Sequence, residues 1–217
     1  MKETNPHDIM QSCFDALEEE RRSLAHELHD EIGQSLTAIR TSAKIIARQS
    51  EGRQSYDVAQ GIVSLTDGMF DLLHNMLHRL HPTVLDKLGL IDALSDLSDF
   101  NQKHCSLKCN IHIEGGLESL SLPMKLTVYR IVQEALNNAS RHGAANCANI
   151  HICLDKNALH ITVDNNGSSL DESRLKEPGI GILGMKQRVI AFDGKLEINN
   201  KPSGGVIVHV ELPLNSI

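Results

Sequence analysis

Residues 18–40 read EEERRSLAHELHDEIGQSLTAIR, and the spacing of the apolar side chains in this stretch decides how the chain begins. Leu24, Leu28, Ile32, Leu36 and Ile39 recur in steps of three and four, so they share one side of an α-helix. No proline interrupts them. His29 and Asp30 sit midway, beside the stripe rather than in it, and Glu31 and Gln34 follow within the next turn or so. A histidine next to a carboxylate on a rigid rod is a candidate reactive surface. The helix is predicted from about Cys13 to Gln49, with Met1–Ser12 frayed before it.

Outward from this stretch, SEGRQS (Ser50–Ser55) is polar, contains Gly52 and reads as a turn. A second helix then carries Val58, Ile62, Leu65, Met69, Leu72, Met76 and Leu80 at nearly heptad spacing, and Pro82 ends it. Two long amphipathic helices joined by a short loop form a hairpin. A lone hairpin leaves much apolar surface wet, whereas two of them bury it in a four-helix bundle. A homodimer with two-fold symmetry is therefore expected. A hairpin packed on the rest of its own chain accounts less well for so complete a seam.

The bulk numbers set limits. With 217 residues there is room for one large domain or two small ones. Apolar residues make up 41% but aromatics only 3%, so the cores must be aliphatic. The net charge of -7 argues against nucleic acid or an anionic membrane as the main partner. Cys13, Cys105, Cys109, Cys147 and Cys153 form no C-x-x-C pair and read as reduced thiols, with Cys105 and Cys109 as small buried hydrophobes rather than zinc ligands. His74, His78 and His81 read as solvated or packed in the bundle. The first twenty residues lack the apolar region of a signal peptide, and no run approaches a membrane span. The expected location is the cytoplasm, as a free protein or as the cytosolic part of a membrane sensor.

Beyond Pro82 the pattern changes. A helix over Leu88–His104, a strand over Leu107–Gly115 and a helix over Pro123–His142 lead to two strands joined around Lys156-Asn157. A polar stretch over Ser168–Pro178, a short helix over Gly181–Phe192 and two final strands, KLEINN and GVIVHVELP, complete the chain. This order predicts an α+β sandwich with helices on one face of a mixed sheet. The boundary is expected at Pro82, giving domains 1–82 and 83–217.

Glu134 and Asn138 are four apart in IVQEALNNASRH and share a helix face. Together they offer oxygen ligands of the kind Mg2+ prefers, and Arg141 and His142 follow one turn on to meet phosphate oxygens. In GIGILGMKQR (Gly179–Arg188), Gly179, Gly181 and Gly184 crowd the entrance of a helix. Glycines let the backbone approach a ligand, and a helix N-terminus attracts phosphate.

With these motifs in order, the chain resembles the catalytic core of sensor histidine kinases, specifically the class of the nitrate/nitrite and hexose-phosphate sensors. ELHDEIGQSLTAI resembles that class's phosphoacceptor box and RLHPTVLDKLGLIDAL its connector. IVQEALNNASRH resembles its N box, GIGILGMKQR its glycine box and GGVIVHVELP its last strand, over roughly residues 15 to 213. The resemblance implies a Bergerat-type ATP-binding fold after the hairpin, with ATP and Mg2+ as cofactors and a response-regulator receiver domain as partner. It implies that His29 is the phosphoacceptor and that Asp30 accepts or orients its proton. Asp30 and Gln34 would form the phosphatase motif, Glu134 would activate or orient water, and Asn138 would ligate Mg2+.

The sequence departs from the family at the adenine end. The D-x-G-x-G motif falls on VDNNGSSL, with Gly167 as its first glycine, so Asn165 replaces the adenine-reading Asp and Ser169 the second Gly. Asp164 is one residue early and by strand alternation faces the other way. The Gly-Thr before the last strand is Gly205-Val206, and the Gly-Gly before KLEINN is Asp193-Gly194. A lost charged hydrogen bond to adenine would cost about 1.5–3 kcal/mol, or roughly ten- to a hundredfold in affinity. Two readings follow: a kinase with weakened ATP affinity, or an ATP-independent phosphotransfer or phosphatase scaffold.

Overall fold

A computed structural model describes residues 6–50, 54–171 and 179–214. The chain divides between Thr83 and Val84 into two compact units.

The first unit is a helical hairpin of α1 (Pro6–Gln49) and α2 (Gln54–Leu80). α1 begins at Pro6, so residues 6–12 are helical rather than frayed, with proline at a start where its missing N–H costs nothing. Residues 1–5 and the turn residues 51–53 lie outside the described set. The two helices meet along small residues: Ala25, Ala43, Ala47 and Ala59 are buried, together with Leu36, Leu73 and Leu77. Arg40 adds a bond to Asp67 at 3.2 Å and lies over the Phe70 ring at 4.7 Å. The larger residues of the two stripes are left outside this seam. Leu24, Ile32 and Ile39 on α1, and Val58, Leu65, Met69, Leu72 and Met76 on α2, are exposed.

The second unit opens with α3 (Thr83–Leu88), a short helix absent from the sequence reading, and α4 (Leu90–Cys105). Ser106 ends α4 in the left-handed conformation, so Cys105 closes the helix while Cys109 falls in the next strand. They do not share a helix face, and Cys105 is exposed rather than buried. Then come β1 (Lys108–Glu114), a single 3-10 turn at Leu117–Ser119, and α5 (Leu122–Arg141). Ser121 caps α5 by accepting from the Met124 N–H at 3.4 Å. β2 (Cys147–Leu154) and β3 (Ala158–Asn165) form a hairpin whose turn is tied by Asp155, which accepts from Asn157 and Ala158 N–H groups at 2.7 and 2.9 Å. α6 (Ile180–Ile190), β4 (Lys195–Asn200) and β5 (Val206–Pro213) finish the unit.

The sheet order is β1-β2-β3-β5-β4, with β1 and β2 parallel and the other pairs antiparallel. One face, carrying Ile150, Ile152, Ile161, Val163, Val208 and Val210, packs with the inner faces of α4, α5 and α6 into one aliphatic core. Tyr129, fully buried on α5, is the large aromatic within it. The helical hairpin and the mixed sheet covered on one face match the expected fold class. Asp193 takes a φ of 53° in the turn before β4, a conformation that a glycine would adopt with less strain. No helix among the described residues is long and apolar enough to cross a membrane.

Candidate functional site

On the hairpin, α1 and α2 frame a shallow groove of about 690 Å³. His29, Asp30 and Gln34 line one side of it, with Phe70, Leu73 and His74 across from them. His29 Nδ1 lies 3.2 Å from the Asp30 carboxylate, and both side chains are at least half exposed. With the proton on Nδ1 and shared with Asp30, Nε2 keeps its lone pair and faces a nucleophile's task. Gln34, one turn later, reaches the same groove. His26 is tied to the Arg22 carbonyl at 2.9 Å and does not line the groove. His74 and His78 meet edge to face with Nε2 atoms 2.9 Å apart, and His78 and His81 are buried.

In the second unit, α5, β3, β5 and the start of α6 enclose a cavity of about 670 Å³. Glu134, Asn138 and His142 line it along α5, and Gly179 and Gly181 line it at the entry of α6. Asn138 donates its Nδ2–H to Glu134 Oε1 at 3.1 Å, which leaves its Oδ1 as the atom it can offer a cation. Burial raises the Glu134 carboxyl above its ordinary value. The Asn138 bond and the charges of Arg141, Arg188 and His142 oppose that rise without cancelling it. Gly181 lets the backbone of α6 come close to the Glu134 carboxylate, and a Cβ there would force that side chain to shift. Arg141 does not line the cavity and acts on Glu134 only through its charge. Gly184 also stands outside the lining, next to Arg188. Arg188 is a cation the sequence reading missed: it stands four residues after Gly184, and only the packing of α6 near α5 brings its charge to Glu134.

At the far end of the cavity, Asn165 is buried with 7% exposure. Its Oδ1 accepts from Gly167 N–H at 2.9 Å and its Nδ2 donates to the Val206 carbonyl at 3.3 Å. The carboxamide is thereby fixed in one orientation, and Oδ1 retains a second lone pair. Gly167 packs so closely over the Gly143 carbonyl that no side chain fits there. Asp164 faces the opposite side of the sheet, paired with Lys201 and near Asn149. Ser169 and Val206 also line the cavity, and Asn200 holds the adjoining loop by bonding both the N–H and the carbonyl of Leu170 at 2.7 and 2.9 Å. The cavity's size, its paired carboxylate and carboxamide and its glycine entry fit a nucleotide with a divalent cation. Residues 172–178, part of the polar stretch predicted as irregular, lie outside the described set.

Two family models match in tandem. One, described as histidine kinase, covers residues 20–85, and the other, described as histidine kinase-, DNA gyrase B-, and HSP90-like ATPase, covers residues 125–216. The chain belongs to the sensor histidine kinases. Among curated relatives of this histidine kinase core is the signal transduction histidine-protein kinase/phosphatase UhpB of Salmonella typhimurium. It is 32% identical over 209 residues, covering 95% of this chain and 41% of that protein. The sensor histidine kinase MctS of Rhizobium johnstonii is 30% identical over 202 residues, 90% of this chain and 44% of that protein. The chain thus spans less than half the length of these two relatives. Among solved structures, the blue-light activated histidine kinase of Erythrobacter litoralis EL346 shares the fold at a TM-score of 0.54 and 16% identity. That match covers 76% of this chain and 65% of the other.

Proposed function

We propose that this chain is the catalytic core of a two-component histidine kinase. It transfers the terminal phosphoryl group of ATP to His29 and then to an aspartate on a response regulator. The observation that carries this reading is the pairing, in one chain, of a solvent-facing His29–Asp30 couple with a cavity lined by Glu134, Asn138 and the α6 glycines. Bound ATP with Mg2+ supplies the phosphoryl group and neutralises its charge. The chain's own residues hold and orient. Asn138 would offer Oδ1 to the cation, the α6 N-terminus and His142 meet phosphate oxygens, and the Glu134 carboxyl activates or orients water near them. His29 attacks through Nε2 while Asp30 keeps the Nδ1 proton and stabilises the charge growing on the ring. For the opposing phosphatase reaction, Gln34 and Asp30 share one groove in which a carboxamide can place water against a phosphorylated aspartate of a docked regulator, releasing free phosphate.

The exposed apolar face of the hairpin supports a homodimer that joins two hairpins into a four-helix bundle. The reading places the chain in the cytoplasm, with no nucleic acid partner.

Asn165 favours a second reading, a phosphatase or phosphotransfer scaffold without ATP. Its amide is already spent on Val206, and it lacks the carboxylate charge. Calorimetry with ATP and Mg2+ separates the two. The kinase reading expects saturable binding that is lost in Asn138→Ala. No heat at millimolar nucleotide with the parent protein leaves the scaffold reading standing.

A further inference from the structure

The outward face of the sheet, opposite the nucleotide cavity, carries a group of side chains that the proposed kinase cycle does not use. β1 and β2 run parallel, placing His112 beside His151 and Glu114 beside Cys153. Strand alternation turns these four outward while Ile150 and Ile152 enter the core. The two imidazoles stack with centroids 5.1 Å apart and planes 11° from parallel. Both Nε2 atoms converge on one carboxylate oxygen, Glu114 Oε1, at 3.0 Å from His112 and 3.3 Å from His151. The three atoms lie within 4.8 Å of one another.

We propose that His112, Glu114 and His151 bind a divalent transition metal, Zn2+ foremost, on this open face. Around tetrahedral zinc with bonds near 2.0–2.1 Å, neighbouring ligand atoms stand about 3.3 Å apart, so both separations from Glu114 already suit the ion. Two imidazoles and a carboxylate prefer Zn2+, Ni2+ or Cu2+ to the Mg2+ of the nucleotide cavity. Cys153 stands opposite Glu114 in the strand register, outside the ligand set. Three protein ligands leave a fourth position for water or an exogenous donor. Histidines and glutamates on an exposed strand usually spread into solvent. Here the strand register instead gathers three ligand atoms within 4.8 Å of one another, and β1 is an edge strand that a bridging ion would fasten to β2.

The test uses the full chain, tag-free and stripped of metal. It is titrated with Zn2+ against a chromophoric chelator, with Co2+ absorption and thermal melts in parallel. One Zn2+ per chain, a tetrahedral Co2+ spectrum and a zinc-dependent rise in melting temperature are expected. All three should persist in His74→Ala/His78→Ala. They should vanish in His112→Ala/His151→Ala, whose far-UV circular dichroism stays unchanged, and weaken in Glu114→Gln, which keeps the shape of the side chain. Absence of saturable binding by the parent protein, or parent-like affinity in the double histidine variant, overturns the proposal.

Discussion

Glu134 and Asn165 carry opposite messages about the nucleotide cavity. Burial holds the Glu134 carboxyl above its ordinary value of 4.5, so the folded chain keeps that proton to higher pH than the unfolded chain does. Folded protein binds more protons across this window, and stability therefore falls as pH rises through it and stays lower above it. Glu134→Gln removes the penalty. We expect it to melt above the parent at neutral pH and level with it below 4.5. The same difference at both pH values would refute a buried-carboxylate penalty. Asn165 is fitted to its place: an Asp there would lose the bond to the Val206 carbonyl and set one oxygen against another. Asn165→Asp should cost about 1–3 kcal/mol in urea unfolding. An unmoved midpoint would mean that the carboxamide does not hold the loop. The sequence pointed to Asn165 through the spacing to Gly167, and strand alternation separated it from Asp164. Arg188 was not legible in this way, because only packing brings the α6 cation toward the α5 carboxylate.

At the scale of elements, the hairpin separates two kinds of apolar surface. The stripe of Leu24, Leu28, Ile32, Leu36 and Ile39 reads as one face by periodicity, yet only Leu36 is buried in the seam, with Leu28 packed beside it. The close contact is made by Ala25, Ala43, Ala47 and Ala59, whose small side chains let the helices approach and do not stand out in a hydrophobic pattern. The larger side chains are thereby displaced to the outside, with Leu65 at 72% and Leu72 at 60% exposure. Leu65→Glu/Leu72→Glu is expected to sediment as a monomer while keeping parental helicity, because these residues take no part in the intrachain seam. A dimer that survives both charges would place the interface elsewhere. The short α3 escaped the sequence reading for a simpler reason: six residues after Pro82 are too few to display a period.

For the whole molecule, the helical hairpin and the mixed sheet were legible because each unit repeats one period along its length, 3.6 residues in the first and largely two in the strands of the second. The chemistry is divided between the units: the candidate nucleophile stands on one, and the candidate nucleotide cavity lies in the other. What periodicity did not convey was the sheet's outward histidine cluster, which depends on the pairing of β1 with β2 across an intervening helix. The central claim is that ATP phosphorylates His29. The most direct measurement incubates the purified chain with γ-labelled ATP and Mg2+, beside His29→Gln. Acid-labile, base-stable label is expected on the parent and none on the variant. Equal label on both, or none on a parent that binds ATP, would contradict it.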